Sequence, residues 1–202
     1  MPNTYNDKIL IATNNAGKVL ELSKLLASSG FIVTTPNQEN IQMDVEETGQ
    51  TFEDNAAIKA LAFAETSGLL SIADDSGLEV EYLNGEPGVR SARYAGENAS
   101  DMDRVWYLLN KLEDVEWSKR QARFKSVIAI ADPEGVIEMF EGTCEGYILF
   151  EPVGLNGFGY DPIFYLPLEG KSMSELSLEN KNKISHRGLA MEKAVRFLNQ
   201  IN

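Results

Sequence analysis

Two kinds of connection between β-segments occur in this chain, and one fold has to accommodate both. Lys8–Thr13 reads as a short buried strand. Gly17–Ser29 reads as a helix with Val19, Leu22, Leu25 and Leu26 on one face and Gly30 as its stop, and Phe31–Thr35 as a second strand. Strand, helix and strand in that order make a crossover unit with parallel strands. Ala122–Ala131 and Val136–Tyr147 are instead two long β runs joined by Asp132-Pro133-Glu134-Gly135, which predicts a hairpin. Crossovers and hairpins together argue for an α/β fold with a mixed sheet.

The remaining segments fit that frame. Thr51 is an N-cap for a helix reaching Ser67, with Gly68 as its stop. Its alanines (Ala56, Ala57, Ala60, Ala62, Ala64) let it lie close against a sheet. Leu70–Asp74 and Leu78–Leu83 read as two strands, followed by an Asn84-Gly85 turn. Ser100 caps a helix to Leu112, and Gly154–Pro162 is a glycine-rich loop. Ser185 caps the last helix, whose Met191, Ala194, Val195 and Leu198 face the core. With 202 residues and no repeat or long linker, the chain suits one domain, or one two-lobed domain around a shared core.

Charge narrows the function. Eighteen Lys and Arg against 31 Asp and Glu give a net charge of −13. Holding a nucleic-acid polymer by its phosphates needs dense cations, so that class is expected to be absent. A small anionic ligand would need a local cluster of cations, or a metal. Cys144 is the single cysteine, which excludes an intramolecular disulfide and fits a reducing cytosol. The start Met1–Lys8 is polar, and no run approaches the ~20 apolar residues of a membrane span, so a cytoplasmic protein without a membrane partner is expected.

Four segments could carry chemistry. Thr13-Asn14-Asn15-Ala16-Gly17-Lys18 joins a strand to a helix, where backbone N–H groups and the helix dipole suit a phosphate and Lys18 adds a charge. It is not a Walker loop: Ala12 replaces the first glycine and Val19 the Ser or Thr. A plain βα turn would look the same. Ala73-Asp74-Asp75-Ser76-Gly77 puts paired acids at the end of a buried strand. Strand alternation sends Asp74 and Asp75 to opposite faces, so one can face a pocket while the other caps a turn. Glu46 and Glu47 add acids upstream, and Mg²⁺ prefers one or two carboxylates together with substrate phosphates. Solvated acids in an Asp-Ser-Gly turn are the competing reading.

In Gly154–Pro162 the glycines around Phe158 leave room for a flat ligand to stack on its ring, although these residues by themselves favour an aromatic plug in a flexible loop. Lys181-Asn182-Lys183-Ile184-Ser185-His186-Arg187 is the one basic cluster with a histidine. It is placed at the start of the last helix, where cations oppose the dipole. His186 and Arg187 offer donors for a carbonyl or phosphate, unless this is only a solvated helix start. Together the four segments sketch a pocket for a nucleotide polyphosphate.

The order of these motifs resembles the Ham1-like inosine triphosphate pyrophosphatases. The resemblance is carried by Ile11–Lys18, Glu46–Gly49, Asn55, Lys59, Ala73–Leu78, Ser91–Tyr94, Gly157–Phe164 and Ile184–Arg187, and covers Lys8 to Leu198. It implies an elongated mixed sheet with flanking helices and two lobes around a nucleotide cleft. It further implies a cytoplasmic homodimer that hydrolyses ITP, dITP and XTP to the monophosphate and pyrophosphate with Mg²⁺. Carried over by position, Thr13, Asn14, Asn15, Ala16, Gly17 and Lys18 would cradle the triphosphate. Asp75 would be the proton acceptor and a Mg²⁺ ligand, with Glu46 as a second metal-side carboxylate. Ser76, Phe158, Gly159, Tyr160, Asp161, Lys181, His186 and Arg187 would contact the nucleotide. Asn14 stands where many members have glycine, which predicts altered backbone angles in the turn. A Maf-like pyrophosphatase acting on pyrimidine triphosphates and a non-catalytic nucleotide-binding protein remain open alternatives.

Overall fold

The computed structural model describes residues 7–202; the polar start Met1–Asn6 lies outside the described residues. Seven strands form one mixed sheet in the order β2-β1-β3-β4-β5-β6-β7. They are β1 (Lys8–Ile11), β2 (Ile32–Thr34), β3 (Leu70–Val80), β4 (Gln121–Asp132), β5 (Gly135–Ile148), β6 (Phe164–Leu166) and β7 (Lys171–Ser172). The helices are α1 (Ala16–Leu26), α2 (Phe52–Ser67), α3 (Asp101–Lys111), α4 (Leu178–Ile184) and α5 (His186–Ile201). As the crossover signal requires, β1 runs parallel to β2 and β3; β6 is antiparallel to β5 and β7.

The chain divides into two compact units. Among the described residues one is 7–75 with Ser126–Gly142 and His186–Asn202; the other is Ser76–Lys125 with Thr143–Ser185. The core of the first is Ile9, Ile11, Ile72, Ile128 and Ile130 from the strands, Leu22 and Leu26 from α1, and Met191, Ala194 and Leu198 from α5. Each such Ile, Leu or Met side chain contributes about 1.5–3 kcal/mol by leaving water. The core of the second gathers Val105, Leu108 and Leu112 around Phe124, Ile148, Phe164 and Met173.

Local signals explain most boundaries. Thr51 Oγ1 accepts the Asp54 N–H, and α2 closes at Gly68. Ser100 and Asp103 form a reciprocal capping box on α3. Asp132 Oδ1 accepts the N–H groups of Glu134 and Gly135, tightening the turn between β4 and β5.

Two expectations fail. Leu70–Asp74 and Leu78–Leu83 are not separate strands: β3 runs unbroken through Asp74-Asp75-Ser76-Gly77, and only Glu81–Leu83 leaves it, as a 3₁₀ turn. The acids do not break the strand because each has a cation. The basic cluster does not all open the last helix either. Lys181 and Lys183 lie in the last turn of α4, where cations favour the dipole, and α5 begins after Ser185.

Candidate active site

Strand register brings the first two motifs together. Ile11 of β1 pairs with Ile72 of β3, so the turn after β1 lies beside Asp74 and Asp75, two and three residues further along the unbroken β3. Carboxyl ends of parallel strands are where open α/β sheets bind ligands. The turn is organised by its own side chains. Thr13 Oγ1 accepts the Asn15 N–H at 3.2 Å, and Asn15 Oδ1 caps α1 by accepting the Lys18 N–H at 3.0 Å. Asn14, Asn15 and Ala16 are exposed, and the helix start at Ala16 and Gly17 presents the first-turn amides that have no intrahelical acceptor. Among the described residues Asn40 and Asn84 are the non-glycine residues with positive φ. Asn14 is therefore in ordinary backbone geometry, and the turn needs no glycine there.

Asp74 and Asp75 do face different partners, as alternation requires. Asp74 Oδ2 takes Lys18 Nζ at 2.8 Å and Arg187 Nη2 at 2.9 Å, and its Oδ1 takes the Ser126 hydroxyl at 2.6 Å. Arg187 also donates to Glu21 Oε2 at 2.6 Å. The result is a buried chain of alternating charge, Glu21–Arg187–Asp74–Lys18, with Glu21 and Arg187 each 2% exposed. Burial opposes ionisation of Asp74, but Arg187 and Lys18 outweigh it and hold the carboxyl well below the usual range. Close packing at the start of α5 fixes Arg187. A side chain at Gly142 would collide with the His186 carbonyl and the Ala190 amide.

Asp75 belongs to a second set. Its Oδ1 accepts Lys59 Nζ at 2.8 Å, and Lys59 also donates to Glu47 Oε1 at 2.8 Å. Asp75 Oδ2 is buried and has no hydrogen-bond partner among the described residues. Burial raises the proton affinity of Asp75 beyond what Lys59 and Lys18 reverse. Adjacent carboxylates pushed in opposite directions are the pattern expected where one is structural and the other handles a proton. The spare Oδ2 is also what a cation or a water would need. Among the described residues no three His, Cys, Asp or Glu form a metal cage. A Mg²⁺ held by few carboxylates and completed by substrate oxygens suits that donor set. Glu46 is exposed and its neighbour Glu47 turns inward.

The other unit holds an aromatic set of its own. Asp161 Oδ2 accepts the Phe158 N–H at 2.9 Å and pairs with Lys181, both residues being 3% exposed. Lys181 Nζ lies 4.7 Å over the Phe158 ring, a charge beside a stacking surface. Gly159 N donates to Asp101 Oδ2 at 2.6 Å.

The structure thus gathers Lys18, Asp75 and Arg187 around β3 in one unit and Phe158, Asp161 and Lys181 in the other. Ser76 begins the second unit and His186 lies in the first, buried at the start of α5. Two residues expected to contact the nucleotide have protein partners. Arg187 divides its guanidinium between Glu21 and Asp74. Tyr160 is buried, and its hydroxyl donates to the Ser91 carbonyl at 2.9 Å, so it braces the loop. Sequence reasoning passed over Glu21, Glu47, Lys59 and Ser126 as site residues. Lys59 carried a signal: it is a lysine on the alanine face of α2, next to Ala56 and Ala60.

The structure thus places a strand-to-helix turn, Lys18, Lys59, Asp74 and Asp75 together in one α/β unit. The Ham1 family profile matches residues 9–197, and the chain belongs to that family. The dITP/XTP pyrophosphatase of Desulforamulus reducens is 52% identical over 194 residues, 96% of each chain. The Ham1 protein of Staphylococcus aureus has 45% identity and a TM-score of 0.84, over 96% of this chain and 100% of its own. A HAM1 protein from Coxiella burnetii has 42% identity and a TM-score of 0.86, over 96% and 98%.

Proposed function

We propose that this protein hydrolyses inosine- and xanthosine-type triphosphates (ITP, dITP, XTP) to the monophosphate and pyrophosphate, clearing them from the nucleotide pool. The observation that carries the chemistry is Asp75: a buried carboxylate with one oxygen held by Lys59, the other without a hydrogen-bond partner among the described residues, and a proton affinity raised by burial. Full-length similarity to a protein named dITP/XTP pyrophosphatase supports the substrate class.

In this reading Thr13–Lys18 hold the triphosphate. Asp75 orients a water for in-line attack on the α-phosphorus and takes its proton. The bond from the α-phosphorus to the bridging oxygen breaks, and pyrophosphate leaves with Lys18 offsetting its charge. Mg²⁺ is the proposed cofactor; Asp75 and Glu46 would hold it, and when bound it neutralises charge on phosphate oxygens. Ser76, Phe158–Asp161, Lys181, His186 and Arg187 are assigned to the nucleoside. Phe158 offers the stacking face, Lys181 and His186 offer donors, and Tyr160 and Arg187 act through the groups they brace. Hypoxanthine and xanthine carry a 6-keto acceptor where adenine carries an amine, so a donor aimed there is left unpaired by adenine.

We further propose that the protein is a homodimer acting in the cytoplasm. Among the described residues no helix is long and apolar enough to cross a membrane. Turnover of ITP, XTP, GTP and dTTP, with pyrophosphate and phosphate measured separately, tests the reading. Pyrophosphate from ITP and XTP is the expected result; preference for dTTP would favour a pyrimidine enzyme.

A further inference from the structure

The segment from Met43 to Gly49, which carries Glu46 and Glu47, has no helix or strand of its own. Two asparagines hold it by its main chain. Asn14 Nδ2, in the turn after β1, donates to the Met43 carbonyl at 3.2 Å. Asn55 Oδ1, in the first turn of α2, accepts the Gly49 N–H at 2.8 Å. The second contact is tightly built. Asn55 is 1% exposed. A Cβ on Gly49 would lie 2.5 Å from Asp54 Cβ and 2.6 Å from Asn55 Oδ1, so any side chain there would push the segment away. Between the two anchors Glu47 meets Lys59, which stands one helical turn beyond Asn55 and reaches on to Asp75. The acidic segment is thereby tied at one end to the turn beside Lys18 and at the other to the helix that positions Asp75.

We propose that Asn14 and Asn55 are positioning residues that clamp the Met43–Gly49 segment at both ends and so set where Glu46 and Glu47 stand for use of a divalent cation. This rests on the reading of Asp75 and Glu46 given above. Asn14 is the informative half. Glycine at this position keeps the main-chain N–H and suits the backbone, but it cannot reach Met43.

The test compares Asn14→Gly and Asn55→Ala with the unaltered full chain by two measurements. One is the Mg²⁺ concentration giving half-maximal ITP hydrolysis, set against kcat at saturating Mg²⁺. The other, independent of turnover, is amide hydrogen exchange over residues 43–49. Each variant should raise the Mg²⁺ requirement by roughly 10-fold, the scale seen when groups that orient metal ligands are removed, and by more than it lowers kcat. Exchange over 43–49 should be faster in both. An unchanged Mg²⁺ requirement overturns the proposal, whether or not exchange rises, because the contacts would then be structural only. Should Asn55→Ala fail to fold, Asn14→Gly decides alone. Asp75→Asn is measured alongside: turnover retained there would defeat the role given to Asp75, while the Mg²⁺ requirement together with exchange over 43–49 in Asn14→Gly would still judge the clamp.

Discussion

Lys18 and Lys59 converge on one main-chain oxygen, the carbonyl of Asp74, at 3.2 and 2.9 Å. Their proton affinities nevertheless move apart. Burial lowers that of Lys18, the charges of Lys59 and Arg187 add to the effect, and the attraction of Asp74 does not restore it. Burial also opposes the charge on Lys59, but Asp75 and Glu47 outweigh it and the affinity rises. The difference lies in the sharing of acids: Asp74 serves both Lys18 and Arg187, whereas Lys59 has two carboxylates. Lys18 is therefore the under-compensated cation, at the mouth of an exposed helix start, and an incoming phosphate would supply the missing charge.

The two adjacent aspartates should separate chemistry from stability. Asp75→Asn keeps size but removes the proton acceptor, and turnover should fall by on the order of 10²–10⁴-fold with the fold retained. Asp74→Asn leaves Arg187 and Lys18 without their shared charge. It should cost about 3–5 kcal/mol of stability, the usual scale for breaking a buried ion pair, with a smaller effect on the chemical step. Denaturant unfolding and kcat on both variants check this; equal losses of turnover would defeat the division of roles.

Arg187 offers a test between recognition and bracing. A donor aimed at the purine edge would, when removed, reduce the preference for ITP over ATP. An arginine held by Glu21 and Asp74 would, when removed, destabilise the protein by about 3–5 kcal/mol and lower kcat/KM for ITP, XTP, GTP and ATP by a common factor. The second outcome is expected for Arg187→Ala. Selective loss of ITP turnover in a stable variant would return Arg187 to the base.

The acid side of the stability profile should carry opposite signatures from the two aspartates. Asp74 is held below its ordinary value, so its contribution is present above the unfolded value of about 3.9 and is lost as pH falls through the folded one. Asp75 is raised, so its contribution is present below the unfolded value and is lost as pH rises through the folded one. The Tm deficit of Asp74→Asn relative to wild type should thus shrink on acidification. Asp75→Asn should gain on wild type as pH rises through the carboxylate range. Parallel Tm curves would contradict both assignments.

Elements with their own punctuation were legible in the sequence. Thr51, Ser100, Gly68 and the Asp132–Gly135 turn each state a boundary in local chemistry, and the observed elements follow them. β3 was misread because Asp-Asp-Ser-Gly is a turn signal unless the cations that neutralise it are known, and Arg187 lies 113 residues further on. The site divides the same way. Lys18 and Asp75 stand in motifs, whereas Glu21 and Ser126 join the site only through partners distant in the chain. Glu46 and Glu47 lie in a segment without periodicity, so nothing local says which of the two turns inward.

In the proposed reaction water attacks the α-phosphorus, and hydrolysis of ITP in ¹⁸O-labelled water, followed by mass analysis of both products, locates that attack. The label is expected in the inosine monophosphate, with none in the pyrophosphate. Label in the pyrophosphate would place the attack on the β-phosphorus and contradict the mechanism.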